Sequence, residues 1–233
     1  MVTDEAGTGE TYEDLRAGFT AVVSHELRTP LARVLALLDS SSLTGTDPAK
    51  VLSQIRAEIE EMSELVDDVL FLAELESGRA VVALRAVTAL PELQRLAEEY
   101  RERAERAAVR IEVEGDPDAK VPLRRRMLCV VAENLIANAL RYAGPGSTLR
   151  LTVESHESAV VFTAADNGTG VTEEHLVRIF ERFYRGDRAR SSHGTGLGLA
   201  IVKHVVTAAG GSVEAQHADG GGLVIRCAFP AGV

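Results

Sequence analysis

Apolar residues recur three or four positions apart along residues 10–77, with a shift in phase of one residue between Val22 and Leu27, beside Pro30. The recurring positions are Leu15, Phe19, Val22, Leu27, Leu31, Val34 and Leu38, then Ile55, Ile59, Met62, Val66 and Val69. This spacing predicts two helices that share a coiled-coil-like apolar stripe. Between them the stretch DSSSLTGTDP, residues 39–48, has the composition of a loop, and Asp47-Pro48 is a favourable helix start. Because so narrow a hairpin buries too little surface alone, we expect two copies to form a four-helix bundle.

The hydrophobic period changes after ELESGRA, residues 74–80, which ends the second helix. Strand-like stretches cover 79–87, 109–115, 147–155 and 158–166, and helix-like stretches cover 91–108, 124–143 and 196–210. The stretch 210–230 predicts a closing hairpin whose turn is ADGGG, residues 218–222. The pattern predicts an α+β protein with a mixed sheet and helices on one face. We divide the chain into a polar tail (1–10), a helical domain (11–77) and a second domain (78–233).

Composition narrows the classes of partner. The formal net charge of −10 argues against a direct nucleic-acid binder, which would show a basic patch. Cys129 and Cys227 lie far apart among apolar residues, so we expect two buried free thiols rather than a metal or redox pair. No apolar run reaches the roughly 18 residues that span a membrane, and the acidic N-terminus is unlike a signal peptide. We therefore expect a cytoplasmic chain, or the cytosolic part of a larger membrane protein.

The segment SHELRTP, residues 24–30, places His25 and Glu26 on the polar edge of the first helix. Pro30 removes a backbone donor and crowds the carbonyl of Glu26, so we expect the helix to bend or loosen there. The segment alone fits two interpretations. One is a solvated helix turn with a tolerated kink, and the other is a reactive imidazole with its own base.

Three stretches of the second domain have features of a nucleotide site. Asn134 and Asn138 share one helix face, with Arg141 near it, and such a stripe fits either Mg²⁺ and phosphate oxygens or two exposed surface amides. The stretch DNGTG, 166–170, fits either a plain turn or a strand end where Asp166 accepts a hydrogen bond from a purine amino group. The stretch GTGLGLAIVK, 194–203, opens a helix whose N-terminal N–H groups suit phosphate, although it matches neither a dinucleotide fingerprint nor a P-loop. Residues 171–193, rich in Arg, lie between the two glycine segments and fit either a mobile flap over a phosphate tail or a solvated loop held by Phe180, Phe183 and Tyr184.

Five motifs, SHELRTP, NLIANALRY, DNGTG, IFERFYR and GTGLGLAIVK, occur in this order. Together they resemble the sensor histidine kinases of two-component signalling, in their H, N, G1, F and G2 boxes. The resemblance implies an N-terminal dimerisation and histidine phosphotransfer domain and a C-terminal ATP-binding domain of the Bergerat type, an α/β sandwich. It implies autophosphorylation from ATP and transfer to an aspartate of a response regulator, with phosphatase activity towards that regulator. The cofactors implied are ATP and Mg²⁺, and the partners are a second copy of the chain and the regulator's receiver domain.

The resemblance also assigns residues in the helical domain. His25 is the phosphoacceptor, Glu26 its base, and Thr29 the residue linked to dephosphorylating the partner. Neutral imidazole is a good nucleophile near neutral pH, and Glu26 bonded to one ring nitrogen would leave the other free to attack phosphorus. An alternative for Thr29 is a local bond from its hydroxyl to a backbone carbonyl freed by Pro30.

In the second domain, the resemblance places Asn134 and Asn138 at the Mg²⁺ and phosphate positions and Asp166 at the adenine position. The remaining residues implied at the nucleotide are Arg141, Tyr142, Gly168, Gly170, Phe180, Arg185, Gly194, Thr195, Gly196, Leu197 and Gly198. Arg141 stands where many relatives have Lys, a departure that keeps the charge. The chain shows no sensor, membrane or receiver segment.

Two rival functions use the same nucleotide fold. One is an ATP-hydrolysing protein of the gyrase and chaperone type, whose members carry a water-activating Glu where this chain has Asn134. Glu133 is adjacent but lies about 100° round the helix. The other is a dimeric scaffold that binds nucleotide without phosphoryl transfer.

Overall fold

The computed structural model describes residues 12–41, 47–77, 86–186 and 194–231, with side chains in the first segment described over 20–40. The chain divides into two compact units, Met1–Val69 and Leu70–Val233. The second helix continues to Glu76, so the proposed domain boundary after residue 77 stays a prediction.

Two long helices form a hairpin: α1 covers Tyr12–Ser41 and α2 covers Pro48–Glu76, so the first unit contains all of α1 and most of α2. The predicted helix start at Asp47-Pro48 is confirmed, because Asp47 Oδ1 accepts a hydrogen bond from the Ala49 N–H at 3.0 Å. The helix α1 continues through Pro30 without interruption, and Pro30 itself is buried. The predicted loosening therefore does not break the helix.

The apolar residues of α2 form two adjacent stripes rather than one. Buried positions recur every seven residues at Val51, Glu58, Leu65 and Leu72. The next residue in each of the first three heptads is an exposed apolar one: Leu52, Ile59 and Val66. On α1 the exposed large apolar side chains are Val22, Leu31, Leu35 and Leu38. The hairpin thus covers the first stripe and leaves a second apolar face uncovered, which is what a helix pair from a larger bundle shows.

A five-stranded mixed sheet forms the centre of the second unit. Its strands are β2 (Arg110–Gly115), β4 (Thr148–Ser155), β5 (Ala159–Asp166), β6 (Ser212–His217) and β7 (Leu223–Pro230). Their spatial order is β2-β4-β5-β7-β6, with β2 parallel to β4 and the other pairs antiparallel. Two short strands, β1 (Val87–Thr88) and β3 (Lys120–Val121), pair separately.

Helices cover one face of this sheet. They are α3 (Ala89–Glu99), α4 (Arg101–Ala107), α5 (Arg125–Tyr142) and α7 (Gly198–Ala208), whereas the four-residue helix α6 (Glu173–Leu176), between β5 and α7, has no buried residue. Alternate residues of β7 are buried, and α5 packs between α3 and α7. This arrangement confirms the α+β class and the mixed sheet. None of the helices in the described part of the chain combines the length and apolar character needed to span a membrane.

The predicted strands over 109–115, 147–155 and 158–166 and the closing hairpin are confirmed. The predicted helix over 91–108 is instead two helices, because the chain leaves the helix at Tyr100. Strand β3 and helix α6 were not predicted, since two and four residues are too short to show a period. Of the strand predicted over 79–87, residues 79–85 lie outside the described residues.

The expectation of two buried thiols is right for Cys227 and wrong for Cys129. Cys227 is buried, and burial raises the pKa of its thiol to about 12. Cys129 on α5 is half-buried because it faces Arg95 of α3, whose Nη2 lies 3.3 Å from the Cys129 sulfur.

Candidate functional site

The polar stripe of α5 faces the start of α7. Asn134 and Asn138 are both half-buried, so they are not the two exposed amides of the alternative interpretation. Asn134 Nδ2 donates to the Val130 carbonyl at 2.8 Å. Its Oδ1 faces Gly198, where an added Cβ would lie only 2.5 Å away. The amide oxygen of Asn134 is therefore held at the N-terminus of α7.

The glycine-rich loop before α7 runs along the same stripe. A Cβ at Gly194 would lie 2.6 Å from Arg141 Nη1 and 3.2 Å from the Tyr142 hydroxyl. Thr195 Oγ1 accepts the Leu197 N–H at 3.2 Å and so orders the turn into the helix. The loop thereby places the N-terminus of α7 beside a guanidinium and an amide, which together suit a phosphate chain.

Asp166 ends strand β5 and is the buried carboxylate of this unit. Its Oδ1 accepts the Gly168 N–H at 2.9 Å, and the Leu223 N–H supplies a second backbone hydrogen bond. Burial raises the pKa of Asp166 above its ordinary value, and the two backbone hydrogen bonds oppose that rise. A buried acceptor at a strand end can recognise an amino group on a flat ring.

The loop DNGTG is more than a plain turn, because it is tied to the C-terminal end of α5. The Thr169 N–H donates to the Ala143 carbonyl at 3.1 Å, and Thr169 Oγ1 donates to the Tyr142 carbonyl at 3.2 Å. A Cβ at Gly168 would lie 2.2 Å from that same Ala143 oxygen. These contacts bring Asp166 and the polar stripe of α5 to one place.

Sequence reasoning missed three residues that build the Asp166 pocket. Asn167 Oδ1 accepts the Thr148 N–H at 2.6 Å and so fixes the loop to β4. Thr169 makes the contacts to α5 described above. Gly222 lies against the Asp166 backbone, where a Cβ would be 1.9 Å from the carbonyl oxygen. The signal for Gly222 was its place in the predicted turn, but not its approach to Asp166.

Glu133 lies near charged side chains of α3. The side chains that influence its carboxylate are Glu99 and Arg95, both on α3. Burial, and next the negative charge of Glu99, raises the pKa of Glu133. The carboxylate of a water-activating residue would instead have to face the stripe of Asn134.

The segment after α6 is described through residue 186. Phe180 and Arg185 are half-buried there, and Gly170 packs on Gly222, with a Cβ at Gly170 lying 2.8 Å from the Gly222 oxygen. Residues 187–193 of the predicted flap lie outside the described residues. The flap and its predicted flexibility therefore stay predictions.

His25, Glu26 and Thr29 lie together on α1 in the first unit. The His25 side chain is 73% exposed, and its Nδ1 is 3.3 Å from Glu26 Oε1. The Thr29 hydroxyl donates to the His25 carbonyl at 3.4 Å, a long hydrogen bond. Pro30 has no N–H to donate to the carbonyl of Glu26, four residues earlier. The Thr29 hydroxyl does not bond that freed carbonyl but the carbonyl of His25.

Two family models match the chain. The model of the His Kinase A (phospho-acceptor) domain matches residues 15–78. The model described as histidine kinase-, DNA gyrase B-, and HSP90-like ATPase matches residues 124–233. Each match contains the motifs that the sequence predicted for it.

Relatives and solved structures agree with these matches. The signal transduction histidine-protein kinase BaeS of Escherichia coli (strain K12) is 34% identical over 229 residues, which are 97% of this chain and 49% of BaeS. The structure of full-length ShkA in complex with AMPPNP has a TM-score of 0.67 and 30% identity, over 90% of this chain and 45% of ShkA. The histidine kinase ThkA in complex with response regulator protein TrrA has a TM-score of 0.75 at 21% identity, over 98% of this chain and 68% of that chain. The chain spans about half the length of relatives such as BaeS.

The first prediction from the site concerns Gly222 and a matched glycine in the same turn. Gly222 and Gly220 both have positive φ, +105° and +87°, but nothing lies within 4 Å of a Cβ at Gly220. Gly220→Ala should cost about 1–2 kcal/mol of left-handed strain. Gly222→Ala adds an overlap with the Asp166 carbonyl and should cost more than about 3 kcal/mol. Urea unfolding followed by circular dichroism measures both, and equal losses would contradict the close contact.

The second prediction concerns Asp166→Asn and pH. Because the folded-state pKa of Asp166 is raised, the native state favours the protonated form, and wild type loses stability as pH rises through that pKa. The stability of Asp166→Asn relative to wild type should therefore increase as pH rises from the ordinary Asp value of 3.8 towards neutrality. Urea unfolding across this range measures the difference. The exposed Asp219→Asn is the control, and a difference that falls with pH would refute the cause assigned here.

Proposed function

Because the chain belongs to the sensor histidine kinases of two-component systems, we propose that it transfers the γ-phosphoryl group of ATP to His25 and then to an aspartate of a response regulator. The observation that carries this proposal is the exposed His25 imidazole with Glu26 at its Nδ1. A nucleophile of this kind needs an accessible ring and a group that fixes the tautomer. The chain offers both on one turn of α1.

In the first step, Glu26 accepts the hydrogen bond from Nδ1–H, which leaves the lone pair on Nε2 for attack on the γ-phosphorus. The Nε2–P bond forms as the bond from phosphorus to the β,γ-bridging oxygen breaks, and ADP leaves. The Nδ1 proton shifts towards Glu26 as the ring becomes positive. In the second step a regulator aspartate oxygen attacks phosphorus, the N–P bond breaks, and neutral His25 returns.

ATP would bind between the polar stripe of α5, the glycine-rich loop and Asp166. Asp166 would accept the adenine amino group, and Arg141 and the N-terminus of α7 would hold phosphate oxygens. Mg²⁺ suits the amide oxygens of Asn134 and Asn138, because it commonly takes one or two protein oxygens together with substrate phosphates and offsets their charge. In the described residues no cluster of three or more His, Cys, Asp or Glu side chains offers a competing site.

The response regulator would dock on α1 around His25. The surface there is a shallow groove lined by His25, Arg28, Thr29, Ala32, Arg33 and Ala36. Small side chains allow close approach, and the arginines complement an acidic phosphorylation site. The complex of ThkA with TrrA supports a partner of this class. Since ATP and such a regulator are cytoplasmic, we place this part of the chain in the cytoplasm.

Incubation with γ-labelled ATP separates the three candidate functions. Acid-labile, alkali-stable label on the protein supports the kinase, free phosphate alone supports an ATPase, and neither supports a scaffold. The orientation of Glu133 towards Glu99 and Arg95 argues against the ATPase.

We predict that His25→Gln abolishes this labelling and leaves ATP affinity within about twofold, because the nucleotide residues lie in the other unit. Affinity is measured by calorimetry and labelling by acid-sensitive autoradiography. The exposed His156→Gln is the matched control and should label normally. A large loss of ATP affinity in His25→Gln would contradict the division of roles.

We further propose that Thr29 positions a water for dephosphorylation of the regulator. Thr29→Ala should autophosphorylate and transfer normally but lose phosphatase activity by about 10- to 100-fold, since positioning alone contributes on this scale. Thr29→Ser keeps the hydroxyl and should retain most activity. The measurement is the decay of phospho-regulator with ADP and Mg²⁺ present. Equal decay with Ala and wild type would remove Thr29 from the mechanism.

Finally, we propose a homodimer formed through the uncovered apolar face of the hairpin. Ile59 is 51% and Val66 42% exposed, and charges at both should prevent association because they would be buried unpaired. Ile59→Glu combined with Val66→Glu should sediment as a monomer at micromolar concentration, where wild type is a dimer. Val177→Glu, at an 83% exposed apolar residue of the other unit, should stay dimeric. A dimeric double variant would place the interface elsewhere.

A further inference from the structure

The glycine-rich loop is covered by two residues of the segment that follows α6. The Phe183 N–H donates to the Gly196 carbonyl at 2.9 Å. A Cβ at Gly196 would lie 2.9 Å from Phe183 Cα and 3.1 Å from the Tyr184 carbonyl oxygen. The backbone of Phe183 and Tyr184 therefore rests directly on the loop that leads into α7.

Phe183 adopts a backbone conformation that a residue with a Cβ avoids. Its φ is +60°, in the left-handed region, and Ala108 is the other such non-glycine residue in the described part of the chain. Left-handed conformations in bulky residues persist only where neighbouring contacts enforce them. Contacts with other parts of the fold must therefore hold Phe183 in this conformation against Gly196.

The side chain next to Phe183 is fixed on two sides. The Tyr184 hydroxyl lies 2.6 Å from Nδ1 of His175, which belongs to α6. The guanidinium of Arg178 lies over the Tyr184 ring, 4.2 Å from its centroid, and is itself bonded to Glu181. Gly186 closes the same corner, because a Cβ there would lie 3.0 Å from His175 Cδ2.

We propose that His175 is a positioning residue for nucleotide binding: it holds the Tyr184 hydroxyl and thereby keeps Phe183 bonded to Gly196 of the phosphate loop. This inference rests on the proposed ATP site and adds a residue that contacts no nucleotide. His175 lies in none of the five motifs, and through Tyr184 it links α6 to the glycine-rich loop. Without it, the left-handed turn at Phe183 relaxes and the Gly196 carbonyl loses its donor.

The test is a double-mutant cycle in the full chain, with AMPPNP and Mg²⁺ as the probe. His175→Ala and Tyr184→Phe should each raise the dissociation constant about three- to tenfold, the worth of one hydrogen bond. The double variant should be no weaker than either single variant within about twofold, because both remove the same contact. His175→Asn should restore most of the affinity, since its amide can place a polar atom where Nδ1 lies.

The control removes a different histidine contact to the same helix. His217 Nε2 lies 3.0 Å from Glu173 Oε2 at the start of α6, away from Tyr184. His217→Ala should bind AMPPNP as wild type does. An equal loss in His217→Ala would show that α6 as a whole matters rather than the contact to Tyr184, and would overturn the proposal.

Two further readouts distinguish positioning from a general loss of structure. In His175→Ala the ATP concentration for half-maximal autophosphorylation should rise, with an unchanged rate at saturating ATP. Without nucleotide, hydrogen exchange of the Phe183 amide should become about tenfold faster, because its acceptor is released. If wild type binds AMPPNP but the affinity losses of His175→Ala and Tyr184→Phe add up in the double variant, the role of His175 is overturned. An unchanged exchange rate of the Phe183 amide in His175→Ala would overturn it as well. A wild type that binds no AMPPNP would instead refute the proposed function, and this role with it.

Discussion

The nucleotide site depends on backbone segments that approach more closely than any Cβ would allow. Gly168 lies on Ala143, Gly222 on Asp166, and Gly196 on Phe183. Each contact joins a loop to a neighbouring helix, strand or turn, and together they bring the end of β5, the end of α5 and the start of α7 to one place. The polar side chains are then positioned by the backbone beneath them, and the site needs few side-chain contacts of its own.

The packing on the far side of α5 bears on which nucleophile the proposed function would use. Arg95 contacts Glu92, Glu99 and Cys129, and the charges of Glu99 and Arg95 also act on the nearby carboxylate of Glu133. A helix presents successive residues about 100° apart, so the face that packs on α3 cannot also face the nucleotide. The packing that stabilises α5 therefore also keeps a basic carboxylate away from the phosphates. Under the proposed function, the acceptor would then be a histidine of the first unit and not water.

The sequence predicted the long elements and the residues inside the motifs, because heptads and strand alternation repeat over many residues. Asp166 and Asn134 were found because each lies in a short stretch with its own chemical signature. The contact of Gly222 with Asp166 and that of His175 with Tyr184 were not found, since they join residues that the fold brings together without any local pattern. On α2 the predicted stripe contained Ile59 and Val66 of the exposed face but none of the buried Val51, Leu65 and Leu72, because spacing shows that apolar residues recur but not what each one packs against. The assignments of individual site residues remain predictions.

The pocket around Asp166 is completed by residues near the C-terminus, which are synthesised last. Leu223 supplies a backbone N–H to the Asp166 carboxylate, and Gly222 lies against its carbonyl, although β7 follows every other described strand and helix. A ribosome therefore finishes the hairpin α1–α2, with His25 exposed, well before it can complete the pocket around Asp166. A chain released before Leu223 would still carry an acceptor histidine and an apolar face for a partner, but no finished nucleotide site. Under the proposed function, such a fragment could accept a phosphoryl group at His25 and pass it to a regulator, but it could not take one from ATP by itself.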